Sequence, residues 1–359
     1  MNFLNRLYHH ELSPKVLEAN DLQSLVKYMK SDSCQNVFLM LRIRQGVSTS
    51  AGIPDFRSPE TGANLARLNL PYPEAVFQID FFRRNPVPFY TLAKELYPGR
   101  YRPTITHSFI KVLHAHSLLH TCFTQNIDTL ERRAGVPEKK IVEAHGSFAT
   151  QRCIDCKRPY DEEKIKKAVM NSAIPHCERC NGLVKPDIVF FGEALPPQFH
   201  VSIRSLRHAD LLIVIGTSLT VHPFASLADL VPNDCPRVLI NLDEVGNFDR
   251  QDDIVLLGKC DDIVQELCRE LGWEEELERE WAATADSVEV DDKPERKVKI
   301  GDELDRITRD LEKSLAISID MPESSKSDTR ETQEGECPKS KEVDKEEAKR
   351  DHSVPDGDP

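Results

Sequence analysis

The sequence predicts an α/β fold in which a doubly wound parallel sheet carries a small cysteine-rich insertion. Near-continuous apolar runs at 211–215 and 238–240 are typical of strands buried on both faces of a parallel sheet. Helical stretches lie between such runs; at 261–268, two acids open the segment and apolar residues recur at helical spacing. A short charged segment at 149–186 interrupts the alternation and holds four cysteines. Strands that alternate with helices favour a Rossmann-like sheet with helices on both faces.

The charge of the chain is concentrated at its C-terminal end. The 359 residues include 60 acidic and 47 basic side chains, a formal net charge of −13. Residues 273–359 hold 28 of the acids and 15 of the bases, and residues 1–272 are neutral by count. This distribution excludes a broad basic surface for nucleic acid. We predict one domain over 1–272 and an acidic, largely disordered tail over 273–359, in which 301–318 has the spacing of a short amphipathic helix.

The N-terminal segment lacks the usual export and import patterns. No apolar run approaches the roughly 20 residues that cross a bilayer, and the first residues contain no long apolar core. Organelle transit peptides are rich in arginine and poor in acids, whereas Arg6 is the only arginine or lysine before Glu11. The sequence therefore predicts a protein that is neither secreted nor inserted in a membrane.

Two Cys-x-x-Cys pairs predict a metal site in the insertion. The pairs are Cys153 with Cys156 and Cys177 with Cys180, in a chain without a secretory signal. Each such turn brings two thiolates close enough to share one ion, and two turns complete a tetrahedron. A fully thiolate site leaves no open position for water, which predicts one structural Zn²⁺. A redox role for the pairs is the alternative, although the doubling of the motif counts against it.

A small-residue, hydroxyl-rich segment, residues 46–58, follows the apolar strand predicted at 36–40. In α/β folds, a turn of small residues after the first strand brings backbone N–H groups close to a phosphate. Taken alone, the pattern is more typical of an ordinary turn. The segments that accompany it are more distinctive.

Together these segments resemble the sirtuin family over roughly residues 21–272. The resemblance rests on GVSTSAGIPDFRS at 46–58, QNID at 125–128, HG at 145–146, the cysteine pairs, KPDIVFFGE at 185–193, GTSL at 216–219 and NLD at 241–243. It implies a Rossmann-like part at 21–148 and 187–272, with the zinc module inserted at 149–186. The details are most similar to the class I branch, which implies a location in the cytoplasm and the nucleus.

The resemblance implies an NAD-dependent enzyme that removes acetyl or other acyl groups from lysines of proteins such as histones. Sirtuins release nicotinamide and transfer the acyl group to ADP-ribose. The acetyl-amide oxygen is a weak nucleophile, and it attacks the anomeric carbon of the ribose only if it is held close and in line. A base must then deprotonate a ribose hydroxyl, and an imidazole suits this because its unperturbed pKa is about 6.5. By resemblance, the catalytic residues are His145 and Asn126.

The same comparison implies which residues bind NAD. Gln125 to Asp128 would line the ribose and nicotinamide pocket, 55–57 would cover the cofactor, and Thr217 with Ser218 would contact phosphate. Asn241 and Asp243 would hold the adenine-side ribose, and Cys260 would meet the adenine through its backbone. The full implied set is Gln45, Gly46, Val47, Ser48, Thr49, Asp55, Phe56, Arg57, Gln125, Asn126, Ile127, Asp128, Thr217, Ser218, Asn241, Leu242, Asp243 and Cys260.

Acetylated protein substrates are the partners that the resemblance implies. In this family the peptide pairs as an extra strand between two loops, here 189–193 and 221–224. The implied substrate residues are Val189, Phe190, Gly192 and Glu193. Main-chain pairing depends little on side chains, so the sequence encodes substrate identity poorly.

The tail contains a second candidate for partner binding. Ile307, Leu311, Leu315 and Ile317 have the spacing of a leucine-rich nuclear export signal. Residues 307–317 could therefore bind a nuclear export receptor. A helix that packs back on the catalytic domain is the alternative interpretation.

The chain departs from the sirtuin pattern at residues 41–45. Sirtuins follow the first strand with Gly-Ala-Gly, whereas this chain reads LRIRQG at 41–46 and keeps only Gly46. In sirtuins, glycines at these positions allow backbone angles and a close approach to pyrophosphate that side chains obstruct. The chain either binds NAD more weakly than its family does, or carries an altered splice junction or gene-model error at 41–45. Because the other catalytic motifs are intact, we favour the second explanation.

Restoring Gly-Ala-Gly before Val47, with Gly46 as its last glycine, is expected to raise the affinity for NAD at least tenfold, about 1.4 kcal/mol. An arginine such as Arg44 can pair with a phosphate but cannot restore the turn. Calorimetric titration of both versions measures the difference. Equal affinities would contradict the prediction.

Two other functions are compatible with a sirtuin sequence. A sirtuin with impaired NAD binding could act as a non-catalytic scaffold that recognises acyl-lysine. Alternatively, a protein ADP-ribosyltransferase would use the same NAD chemistry and pass the ribosyl group to protein. The presence of both His145 and Asn126 favours catalysis, since a pure binding protein needs neither.

Overall fold

A six-stranded parallel sheet forms the centre of the fold. The structure is a computed structural model that describes residues 15–42 and 70–288. In chain order, the described strands are β1 (Val37–Leu41), β2 (Leu119–Thr124), β3 (Ile141–Glu143), β4 (Gln151–Cys153), β5 (Val184–Pro186), β6 (Leu211–Ile215), β7 (Arg237–Asn241) and β8 (Asp253–Leu257). The large sheet has the order β3-β2-β1-β6-β7-β8, with every neighbouring pair parallel.

This strand order places a topological switch point between β1 and β6. The chain proceeds from β1 to β2 on one side and later returns to β6 on the other. All residues of both strands are buried, as their unbroken apolar sequences predict. In such sheets, ligands bind in the crevice beyond the carboxyl ends of the strands at the switch point.

Helices cover both faces of the sheet. The described α-helices are α1 (Leu22–Met29), α2 (Ile79–Arg84), α3 (Val87–Leu96), α4 (Ile105–Ala115), α5 (Leu130–Arg133), α6 (Glu162–Met170), α7 (Pro197–Ile203), α8 (Cys260–Leu271) and α9 (Glu274–Ala282). Short 3₁₀ helices span Pro73–Phe77, Glu138–Lys140, Arg204–His208, Phe224–Asp229 and Ala285–Ser287. Helices α1, α4, α8 and α9 pack on one face of the sheet, and α7 with the 3₁₀ helix Phe224–Asp229 packs on the other. The predicted doubly wound fold is therefore confirmed.

The cysteine-rich module is a separate layer built on an antiparallel pair, β4 with β5. Its helix α6 buries Ile165 and Val169 in a cluster that also contains Phe82 of α2 and Phe89 of α3. The chain between the first and second strands of the sheet thus supplies part of the module's core. Spacing around the cysteines alone did not predict this contribution.

Ordered packing continues past Gly272, where we predicted the domain to end. Helix α9 buries Leu277, and the Trp273 ring stacks on His116, the residue after the end of α4, with 4.0 Å between centroids. The Trp281 indole donates to the carbonyl of Pro103 at 3.2 Å. The acids that made this stretch resemble the tail occupy the first turn of α9, where they interact favourably with the helix dipole. Residues 273–287 therefore pack as part of the domain.

Truncation after Gly272 is expected to lower the free energy of unfolding by at least about 2 kcal/mol, because it uncovers the core that Leu277 and Trp273 cover and removes the bond from Trp281 to Pro103. Truncation after Ser287 is the matched control and should leave the free energy unchanged. Urea unfolding of both proteins measures the difference. Equal midpoints for the two truncations would contradict the packing role of α9.

Several predictions fall on residues outside the described ranges. These are the cofactor residues at 45–49 and 55–57, the helix at 301–318 and the export segment at 307–317. Among the described helices, none is long and apolar enough to cross a membrane.

Candidate active site

The carboxyl edge of the sheet gathers most of the described residues that the sequence singled out. Residues 125–128 follow β2, His145 follows β3, Thr217 and Ser218 follow β6, and Asn241 ends β7. Parallel strands present their carboxyl ends at one edge, so residues distant in sequence meet in one crevice. The predicted catalytic and cofactor residues in the described ranges lie along this edge.

His145 is held in a defined tautomer. Its Nδ1 lies 3.3 Å from the backbone carbonyl of Gln125. A carbonyl oxygen only accepts, so Nδ1 carries the proton and Nε2 keeps its lone pair. Burial lowers the pKa of His145; the bond to Gln125 opposes this shift, and the charge of Arg42 reinforces it. The imidazole is therefore neutral at physiological pH and can accept a proton at Nε2.

The side chain of Gln125 offers the clearest sign of a ligand at this edge. Gln125 is 7% exposed, and both its amide nitrogen and its amide oxygen lack a hydrogen-bond partner among the described residues. A buried polar group without a partner costs about 1–3 kcal/mol. A ligand with its own amide or hydroxyl groups, such as the nicotinamide riboside part of NAD, would satisfy this side chain.

Asn126 is oriented by a buried carboxylate, Glu131, that belongs to none of the sequence motifs. Its Nδ2 donates to Oε1 of Glu131 at 3.0 Å, and the Thr124 hydroxyl donates to the same oxygen at 2.6 Å. Thr124 Oγ1 also accepts from the backbone N–H of Asn126 at 3.0 Å. Glu131 is 1% exposed, so these bonds fix the plane of the Asn126 amide.

Asp128 and Glu131 approach a buried histidine, His107, on α4. One ligand-type atom from each of the three side chains lies within 4.8 Å of the others. Thr104 donates its backbone N–H to His107 Nδ1 at 3.1 Å, and burial lowers the pKa of His107 to about 4. Nε2 therefore carries the proton, and it has no partner among the described residues. Through Glu131, this cluster is connected to the amide of Asn126.

The predicted phosphate residues lie beside an arginine of the departing segment. Thr217 is buried, and its hydroxyl accepts from the N–H of Leu219 at 3.1 Å. Ser218 Oγ lies 2.8 Å from the Thr220 hydroxyl and 3.4 Å from a guanidinium nitrogen of Arg42. Arg42 follows β1 directly, so the chain places a positive charge at the switch point.

The end of the crevice beyond β7 contains the residues predicted for the adenosine. Asn241 Nδ2 donates to the carbonyl of Asp243 at 2.7 Å, while Asp243 and the Leu242 side chain are exposed. Cys260 begins α8, and its thiol is buried and directed at the carbonyl of Ile240 at 3.8 Å. Burial raises the pKa of Cys260 to about 12, so this thiol is not reactive. Only its backbone is placed to contact a ligand.

The loop at 187–193 joins the module to the catalytic edge. The Val189 N–H donates to the carbonyl of His145 at 2.7 Å. Phe190 is buried among the aromatic rings of Phe77, Phe82 and Phe89, and its backbone groups bond to Glu193. The side chain of Phe190 therefore supports the loop from inside, and the predicted contact of Val189, Gly192 and Glu193 with a peptide falls to their backbone groups.

Gly146 allows this loop to approach the catalytic histidine. Its φ is +63°, and a Cβ atom there would lie 1.8 Å from the carbonyl oxygen of Asp187. The Asp187 side chain is held by a bidentate ion pair with Arg152 of β4, at 2.6 and 2.7 Å. The backbone at Asp187 therefore has little freedom to move away.

Gly146→Ala is expected to lower the free energy of unfolding by at least about 3 kcal/mol, the sum of left-handed backbone strain and overpacking. Gly272→Ala is the matched control, because Gly272 has φ +78° and open space around its Cβ position. That variant should lose only about 1–2 kcal/mol. Urea unfolding compares the two. Equal losses of unfolding free energy in the two variants would show that the backbone at Asp187 shifts at little cost to make room for the Cβ atom.

The four module cysteines fit one zinc ion. Their sulfur atoms all lie within 4.8 Å of one another, with 3.5 Å from Cys153 to Cys180 and 3.6 Å from Cys156 to Cys177. Bonds of about 2.3 Å in a tetrahedron separate sulfurs by about 3.8 Å. None of the four is in a disulfide. The donor set and spacing match a structural Zn²⁺ site, as predicted.

Comparison with known proteins agrees with this geometry. Residues 45–223 match the model of the Sir2 family. NAD-dependent protein deacetylase hst2-1 of Emericella nidulans is 49% identical over 325 residues, 88% of this chain and 90% of that protein. This chain belongs to the Sir2 family. Hst2 of Schizosaccharomyces pombe, also named an NAD-dependent protein deacetylase, is 52% identical over 262 residues, 72% of this chain and 78% of that protein.

A vertebrate relative shows the same similarity. NAD-dependent protein deacetylase sirtuin-2 of Danio rerio is 47% identical over 305 residues, 77% of this chain and 80% of that protein. The sirtuin resemblance inferred from the motifs is therefore confirmed. The sequence motifs of this Sir2-family chain predict no role for Glu131, His107, Arg42 or Lys185. Lys185 belongs to a recognised motif, whereas the other three carry no local signal.

Proposed function

We propose that this Sir2-family protein removes acetyl groups from lysine side chains of proteins in an NAD-dependent reaction. The observation that carries the proposal is the His145 tautomer, with Nδ1 held by Gln125 and Nε2 available as a base. Gln125, whose side-chain amide lacks a partner among the described residues, bonds to this histidine through its backbone carbonyl, and Val189 of the loop at 187–193 donates to the His145 carbonyl. The names of the three relatives support the same reaction.

Bound NAD would supply an electrophilic ribose carbon, a leaving nicotinamide and a ribose hydroxyl. Gln125 and Asn126 would bind and orient that end of the cofactor, because their amides both donate and accept. His145 Nε2 would take the proton of the hydroxyl, and Nδ1–H would stay on the Gln125 carbonyl and stabilise the imidazolium. Asp128 would complete the polar lining.

The remainder of NAD would lie along the carboxyl edge toward β7. Thr217 and Ser218 would contact the phosphates, with Arg42 adding positive charge beside Ser218. Asn241, Leu242 and Asp243 would hold the adenosine ribose, and the backbone of Cys260 would meet the adenine. The proposal also assigns residues 45–49 and 55–57 to the cofactor. A zinc ion on the four cysteines would stabilise the module without entering the chemistry.

An acetylated protein segment would pair as a strand with the loop at 187–193. Backbone groups of Val189, Gly192 and Glu193 would contact it, and Phe190 would support them from the core. We also propose histone tails among the substrates and a location in both cytoplasm and nucleus. Residues 307–317 would serve as the export segment.

Incubating the full-length protein with NAD and an acetyl-lysine peptide tests the function. Mass spectrometry should detect nicotinamide, deacetylated peptide and O-acetyl-ADP-ribose in equal amounts. Peptide that carries ADP-ribose would indicate an ADP-ribosyltransferase instead. Peptide binding without any product would indicate a scaffold.

A further inference from the structure

A buried lysine lies behind the loop at 187–193, and the proposed chemistry gives it no role. Lys185 stands in the middle of β5 and is 5% exposed. Its Nζ donates to the carbonyl of Ile188 at 2.6 Å and lies 2.9 Å from Oε2 of Glu193. The ammonium also lies over the ring of Phe190, 4.5 Å from the centroid. The loop therefore folds around a single buried charge.

The partner carboxylate closes the loop on itself. Glu193 Oε2 accepts the N–H of Phe190 at 2.9 Å in addition to the lysine, and the Glu193 N–H donates to the Phe190 carbonyl at 2.9 Å. Glu193 is partly buried. The Lys185 ammonium and the backbone of the turn at 190–193 thus share one acceptor oxygen.

The outer side of the same loop is the side that meets the active site. Val189 bonds to the carbonyl of His145, and Phe191 pairs through its backbone with Phe77 and Ile79. Phe191 is 60% exposed, while its neighbour Phe190 is 1% exposed. The Lys185–Glu193 pair therefore lies on the Phe190 side of the loop, whereas the neighbouring Phe191 side chain is exposed.

A pair of this kind acts on position more than on stability. Burial disfavours the charged lysine and lowers its pKa, and Glu193 offsets part of that cost. Buried ion pairs often add little net stability over apolar replacements, but loss of one partner leaves a costly unpaired charge. Ordering a loop before binding, in contrast, increases affinity directly.

We propose that the Lys185–Glu193 pair is a positioning clasp that holds the 187–193 loop ready to pair with the substrate peptide. Lys185 is then a positioning residue for peptide affinity, although it touches neither the peptide nor NAD. This inference rests on the proposed docking of a peptide strand at the loop.

The test compares Lys185→Met, Glu193→Gln and the double variant in the full-length protein. The dissociation constant of a fluorescent acetyl-lysine peptide is measured by anisotropy, that of NAD by calorimetry, and the melting temperature of each variant is recorded. Each single variant should weaken peptide binding at least tenfold, about 1.4 kcal/mol, with NAD affinity within about twofold. The double variant should recover melting temperature, because no buried charge is left unpaired, but should not recover peptide affinity.

A structural role alone would give a different pattern. Peptide affinity would then follow melting temperature through all three variants, and this result would overturn the proposal. Arg237→Met breaks another buried ion pair, with Asp253, and is the matched control. It should lower the melting temperature without a specific loss of peptide affinity.

Because binding is measured without turnover, failure of the proposed deacetylase function can be distinguished from failure of the proposed clasp. A protein that binds the peptide in the expected pattern but releases no product would contradict deacetylation and retain the clasp. A wild-type protein that binds no acetyl-lysine peptide would overturn both. Unchanged peptide affinity in an active enzyme would overturn the clasp alone.

Discussion

Replacement of His145 by alanine is expected to lower kcat for deacetylation by about 10²- to 10⁴-fold, the usual contribution of a general base. The reason is the tautomer: Nδ1 is committed to the Gln125 carbonyl, so Nε2 is the nitrogen that accepts the proton. Dissociation constants for NAD and peptide should stay within about threefold, since the lost group acts on a proton. Steady-state kinetics and calorimetry on the variant measure both effects.

The pH dependence of the unmodified enzyme provides an independent readout. Because burial lowers the pKa of His145, the neutral base persists to lower pH than for a free imidazole. The value of kcat/KM should therefore fall with an apparent pKa below about 6.5 as acid protonates Nε2. The matched control for His145→Ala is His114→Ala, at the end of α4, and this variant should retain full activity. A His145→Ala enzyme within tenfold of wild type would contradict the assignment.

Loss of the zinc ion is expected to unfold the module and abolish activity. Structural Zn²⁺ contributes about 10–16 kcal/mol in zinc-finger peptides, which is comparable to the whole stability of a typical domain, about 5–15 kcal/mol. Cys180→Ser is the sharpest variant, because Cys180 is exposed and serine there removes a ligand without opening the core. Metal analysis by mass spectrometry should find close to one zinc in wild type and close to none in the variant.

The control for this experiment is a cysteine outside the cluster. Cys34→Ala changes a buried thiol that is not among the four and should keep the full zinc content. Circular dichroism should show a separate early unfolding step in Cys180→Ser. Full zinc occupancy in that variant, or an unchanged melting curve, would show that the thiols do not hold a metal.

The sheet strands and the zinc module could be predicted because each has a pattern that is visible within a short stretch of sequence. The strands β1, β6 and β7 are unbroken apolar runs, and the cysteine pairs bring their own thiolates together within one turn each. The role of Phe82 and Phe89 in the module core depends on a contact with Phe190, about a hundred residues away in the chain, and has no local signature.

Composition alone gave a wrong boundary for the domain, because the packing of α9 depends on a few buried residues. Helix α9 begins with three glutamates and was assigned to the acidic tail, yet Leu277 and two tryptophans anchor it to α4 and the turn before it. Similarly, Glu131 carries no motif, and its importance lies in a buried contact with Asn126. The cofactor segments at 45–49 and 55–57 lie outside the described residues and stay predictions.

The close contact between Gly146 and the Asp187 carbonyl limits how this enzyme could be re-engineered. Together with the bond from Val189 to His145, it fixes the register of the peptide loop against the catalytic base. Selection for new substrates cannot slide this loop by one residue without disturbing the base. Altered specificity would therefore arise from side-chain substitutions in a loop of unchanged length and register. Libraries that insert or delete residues at 187–193 should yield few active clones.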